Sequence, residues 1–218
     1  MVYLRNNGLT ITLMAMFALA LIGQWLTGWS ANNDELLRHG EAAIAPLAYL
    51  GDAAFMSSVF ENWESEFLQM AVYVVLTAIL VQRGSAESKD PDAPERDADL
   101  ATQAAKPGAP RILAAGASAR WLYARSLGLT LFALFLLSFL LHWINSAGAA
   151  ADDAIAHGET PETVLHYFWS AQLWFESLQN WQSEFLSTAV LVVLSIFLRQ
   201  KESPESKAVA APHGATGA

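Results

Sequence analysis

The sequence predicts an all-α membrane protein with four transmembrane helices, built as two parallel-repeat hairpin halves whose long second helix extends beyond the membrane. Three observations predict this. The composition is 54% hydrophobic and 15% charged over 218 residues, with a mean hydropathy of +0.29, too apolar for an ordinary soluble domain. Four stretches, about 9–29, 63–82, 126–144 and 181–199, carry runs of apolar residues of membrane-spanning scale. The block Asn62-Trp63-Glu64-Ser65-Glu66-Phe67-Leu68 returns as Asn180-Trp181-Gln182-Ser183-Glu184-Phe185-Leu186, each time just before a long apolar run.

The first span, about 9–29, follows Arg5 and precedes the polar run Asn32-Asn33-Asp34-Glu35. It is too long for the apolar part of a signal peptide, and Thr27-Gly28-Trp29 makes a poor cleavage site, so it reads as a retained helix. A short helix is expected at Asp34 to His39, ended by Gly40. A long one follows, from about Phe55 to Arg83. Its purely apolar part, Phe67 to Val81, covers only about 22 Å at 1.5 Å per residue, so the span borrows a turn from the Trp63 end. Residues 84–119 hold Pro91, Pro94, Pro107 and Pro110 among Ala and charged residues with no apolar period, a flexible cytoplasmic linker between a first repeat (1–83) and a second (120–200). The third span, about 126–144, leads into an acidic loop with Asp152 and Asp153, then a helix from about Pro161 that carries the fourth span at 181–199. A polar tail, 201–218, is expected to be disordered.

A single offset of 118 relates the halves without a gap from Gln24/His142 to Lys89/Lys207. It pairs Trp25 with Trp143, His39-Gly40-Glu41 with His157-Gly158-Glu159, Tyr49 with Tyr167, and Ser85-x-Glu87-Ser88-Lys89 with Ser203-x-Glu205-Ser206-Lys207. Two spans per half make the repeat parallel, with a pseudo-two-fold axis along the membrane normal. Of the twelve Lys and Arg, only Arg38 falls on the side opposite the linker and termini, so both termini and the linker are expected in the cytoplasm. Seven of the eight tryptophans lie on that opposite side, an outer interfacial belt that includes Trp25, Trp63, Trp143 and Trp181.

The block Glu61-Asn62-Trp63-Glu64-Ser65-Glu66-Phe67-Leu68-Gln69-Met70, the following Arg83-Gly84-Ser85-Ala86-Glu87-Ser88-Lys89-Asp90-Pro91 and the run Trp174 to Leu186 resemble a family of bacterial membrane proteins classed as a domain of unknown function. The resemblance covers nearly the whole chain. It implies a multi-pass protein of the bacterial inner membrane and lends no mechanism.

Several chemistries are excluded or weakened. A formal net charge of -9 argues against nucleic acid as a partner, and the absence of cysteine removes disulfides and thiolate chemistry. No cofactor signature is present, and Ser, His and Glu form no nucleophile arrangement. The duplicated Asp34-Glu35...His39-x-Glu41 and Asp152-Asp153...His157-x-Glu159 offers metal-ligand types, but the spacing matches no metal signature and helix-end electrostatics explain every residue, so no metal site is assigned. The Ser-x-Glu-Ser-Lys ends read as solvated helix ends, with a docking motif as the alternative their duplication allows.

One polar constellation remains. Asn62, Glu66 and Gln69 fall on one stripe of the second span, and Asn180, Glu184 and Ser187 on the matching stripe of the fourth. Gln24 and His142 stand at the same expected depth on the first and third. In hydrocarbon such residues must face protein or a wet cavity. They serve either as hydrogen-bonding glue between helices or as a polar pathway. The leading expectation is a structural or binding protein of the lipid bilayer. A small transporter or channel, which would need a homo-oligomer to line a pathway, is the alternative, and a membrane enzyme comes last.

Overall fold

The computed structural model describes residues 2–217, with side chains from residue 6 onward. Among the described residues the fold is all-helical: α1 (Val2–Arg38), α2 (Pro46–Tyr49), α3 (Ala53–Ile79), α4 (Leu100–Gln103), α5 (Ala117–Tyr123), α6 (Ser126–Ala156), α7 (Val164–Tyr167) and α8 (Ala171–Phe197). A 3-10 turn, Arg111–Ala115, precedes α5.

Two of these helices, α1 over Asn6–Arg38 and α6, are long and apolar enough to cross a membrane. Leu9, Met14 and Leu19 of α1 are exposed, an apolar surface of the kind that marks a membrane or partner contact. The same test does not extend to α3 and α8, whose first halves carry Glu61, Glu64 and Glu66, and Glu176 and Glu184.

Helix ends depart from expectation for identifiable reasons. No separate helix forms at Asp34 to His39, because nothing between Trp29 and His39 breaks α1. Instead Asn33 turns its amide sideways, donating to the Ile44 carbonyl at 3.1 Å and accepting from the Ile44 amide at 2.8 Å. The chain leaves the helix at Gly40, φ +78°, where a side chain would be strained, and the matched Gly158 does the same at +71°. Helix α3 stops at Ile79 rather than Arg83, because the returning loop takes its last carbonyls: the Lys89 ammonium reaches the Ala78 carbonyl at 2.6 Å. At the other ends, Asp52 caps α3 through the amides of Ala54 and Phe55, and Ser170 caps α8 through that of Leu173.

The chain forms two compact units. One comprises residues up to Val59 together with Leu141–Phe168; the other comprises Phe60–Leu140 and Trp169 onward. The first unit buries Tyr49, Phe55, Val59, Ala147 and Tyr167, with the polar Asn33, Ser57, His142 and Ser146 among them. The second buries Ala71, Leu113, Phe135 and Leu173, and with them Glu64, Ser85, Ser177, Ser195 and Lys207. Neither core is rich in large apolar side chains, since most of those point outward.

Candidate functional site

A set of polar side chains that link two helices lies in the second unit, on the facing sides of α3 and α8. Asn180 Nδ2 donates to Glu61 Oε1 at 2.6 Å, and Trp181 Nε1 donates to Glu64 Oε1 at 3.0 Å. One helical turn further along α3, the Gln69 amide donates to the Thr188 hydroxyl. Glu64 is fully buried, and a carboxylate withdrawn from water is costly unless hydrogen-bonded, so the indole N–H fixes which way both helices face. The Trp181 ring packs edge-on against Phe135 at 5.9 Å and Trp174 at 6.4 Å, which orients the donor.

Of the residues expected on the two stripes, Gln69 and Asn180 make these contacts. Asn62 and Glu66 are exposed, as is Ser187, whose hydroxyl donates to its own helix at the Glu184 carbonyl, 2.9 Å away. Glu184 is half-buried, near enough to Glu66 for their charges to interact. Glu61, Glu64 and Thr188 were missed. The first two align with Gln179 and Gln182, so a search for residue types shared by both copies passes over them; positions Glu61, Glu64, Ser65 and Leu68 at i, i+3, i+4 and i+7 were the available signal.

In the first unit Gln24 donates to the Ser58 hydroxyl at 3.1 Å, and His142 is fully buried. Two of the belt tryptophans act as matched pins. Trp25 Nε1 donates to the Pro46 carbonyl at 2.8 Å, and Trp143 Nε1, 118 residues on, donates to the Val164 carbonyl at 2.8 Å. Each bond holds the first residue of a one-turn helix, α2 or α7, whose tyrosine, Tyr49 or Tyr167, is buried beneath it. Trp63 instead packs edge-on against Phe60 at 5.4 Å. The His39 and His157 rings meet at 6.5 Å, but among the described residues no three His, Asp or Glu converge as a metal-holding group.

A family described as a domain of unknown function (DUF6766) matches residues 1–218. The chain belongs to this family. Comparison with curated proteins and with solved structures finds no match. Membership therefore carries no activity to these side chains, and their chemistry has to be read from geometry.

The second unit also holds the duplicated Ser-x-Glu-Ser-Lys turns, in which Lys89 and Glu205 are exposed while Ser85, Ser88 and Lys207 are buried. Ser88 Oγ accepts from the Gln82 amide at 3.0 Å, and Ser206 Oγ from the Gln200 amide at 2.9 Å. Ser85 Oγ accepts from the Glu87 amide at 3.1 Å, and Ser203 Oγ from the Glu205 amide at 3.2 Å. Ser85, wholly buried, also shares a 2.8 Å hydrogen bond with Ser195 of α8. These serines fold the chain back under the helices, and Tyr73 of α3 donates to Glu87 Oε2 at 2.8 Å.

Proposed function

We propose that the chain is a duplicated integral protein of the bacterial inner membrane, crossing it four times with both termini and the linker in the cytoplasm, and that it acts as a structural or binding protein. The pairing of α3 with α8 carries the reading. Their carboxylate, amide and indole groups are satisfied against each other, while Val75, Ile79, Leu186 and Val190 are left exposed. A helix too polar to cross lipid alone can cross it when its polar stripe faces a partner. The arrangement is glue in the first instance: interhelical hydrogen bonds in membranes contribute about 0.6 kcal/mol each on average.

Topology tests the reading directly, because the chain has no cysteine of its own. Single cysteines at the exposed positions Ala101, Asp34 and Glu159 are probed in intact cells with a membrane-impermeant thiol reagent. Labelling at 34 and 159 with protection at 101 is the expected result. Labelling at 101 with protection at the other two overturns it.

A further inference from the structure

Within the second unit, α3, α8 and the turn after α3 enclose a groove of about 530 Å³. Its walls are apolar, with Val72, Leu76, Phe185 and Val192 among them, and it runs past α3 from Gln69 to the turn, roughly 15 Å for ten helical residues. At the turn end stands Glu87. Its Oε2 accepts from Tyr73, while Oε1 is buried and receives no hydrogen bond. Glu205, its counterpart in the second copy, lies beside the same carboxyl. Acceptor therefore faces acceptor, and a cation placed between the two carboxylates relieves their repulsion.

We propose that this groove binds a single-chain amphiphile with a protonated primary amine head, the aliphatic chain lying along α3 and α8 and the ammonium donating to Glu87 and Glu205. The inference rests on the binding reading above and names its ligand class. Three features select that class. The orphaned Oε1 calls for a hydrogen-bond donor, which a quaternary ammonium lacks. The paired carboxylates call for positive charge. The apolar walls call for a tail, and the volume lies in the range that holds one small ligand rather than a two-chain phospholipid. Burial pushes the Glu87 carboxyl above the usual range, the Tyr73 hydroxyl pulls it back, and Glu205 adds to the rise. An arriving ammonium relieves both the burial and the repulsion, so binding is expected to strengthen as pH rises and Glu87 loses its proton.

The experiment uses the full chain in nanodiscs of zwitterionic lipid, titrated with dodecylamine, with uptake by empty nanodiscs subtracted. Dodecanol supplies the same tail without charge, and butylamine the charge without the tail. Saturable dodecylamine binding is expected, at least tenfold weaker in Glu87→Gln and in Glu205→Gln and absent for both controls. Equal binding by Glu87→Gln, or by dodecanol, overturns the proposal. Should either variant fail to fold, the wild-type protein decides: affinity rising from pH 5 to 8 supports the site, and a flat profile overturns it. Loss of amine binding with the expected cysteine labelling defeats this inference alone, whereas inverted labelling defeats the reading beneath it.

Discussion

Lys89 and Lys207 hold the same place in the two copies of one turn, and they end in opposite surroundings. Both follow a serine whose hydroxyl accepts from a backbone amide six residues earlier. Beyond that the copies part. The Lys89 ammonium closes on the Ala78 carbonyl of its own helix and stays exposed. The Lys207 ammonium, on a side chain 2% exposed overall, enters a cage of carbonyls from Gly84, His213 at 2.8 Å and Ala215 at 2.9 Å. The tail closes the cage from the other side, where Gly217 donates its amide to the Ser85 carbonyl and the Thr216 hydroxyl oxygen accepts from the Gly84 amide. Repetition thus dictates what short side chains do to the nearby backbone. What a long side chain reaches is set by the segment that follows it, and here Asp90-Pro91 follows one lysine and a tail of small residues the other.

The widest expected gap between the copies comes from removing each ammonium in turn. Lys207→Met strands the buried Gly84 carbonyl and the part-buried carbonyls of His213 and Ala215, and should cost about 1–3 kcal/mol. Lys89→Met changes an exposed contact and should stay within about 0.5 kcal/mol. Thermal unfolding of the two variants in the same detergent checks this, and equal midpoints would break the comparison.

Where the copies do the same thing, they should respond alike. Trp25→Phe and Trp143→Phe each remove one indole N–H from one backbone carbonyl, worth about 1 kcal/mol in either half. Their midpoints should fall by similar amounts and the double variant by the sum, as expected for sites with no shared partner. A large effect from one and none from the other would show that the pins are not equivalent.

How far the sequence reaches follows the same division. The helical runs and the turn after each long helix were readable because apolar periodicity and Gly40 or Gly158 act locally. The end of α1 was not, since Asn32 to Arg38 can continue a helix or leave it, and the choice depends on Asn33 finding Ile44. Gln69 was found on its stripe, while Thr188, which takes its amide, lies one residue beyond Ser187 and off the stripe expected on α8. Glu61 and Glu64 were hidden because their counterparts are Gln179 and Gln182, and shared residue type was the filter. The Lys207 cage left no trace at all, because its acceptors are backbone carbonyls, which every residue carries.

The smallest predicted difference lies in the acidic loop of the second copy. The backbone carbonyl of Asp153, 2.9 Å from His157 Nδ1, and then the Asp153 carboxylate, 3.4 Å away, hold the imidazole above the ordinary 6.5 of histidine. A folded-state value raised above the unfolded one adds stability that is fully present below the unfolded value and is lost as pH rises through the folded one. The side chain is well exposed, so solvent and salt screen the interaction and any effect on stability is small. The titration itself is the better readout. Followed by NMR in the detergent-solubilised chain, the His157 midpoint should lie above 6.5 and drop in Asp153→Asn. The backbone carbonyl survives that substitution, so the drop should be partial. A midpoint at or below 6.5 would show that neither Asp153 group acts on this ring, whereas a raised midpoint indifferent to Asp153→Asn would show that the carboxylate does nothing and the backbone carbonyl acts alone.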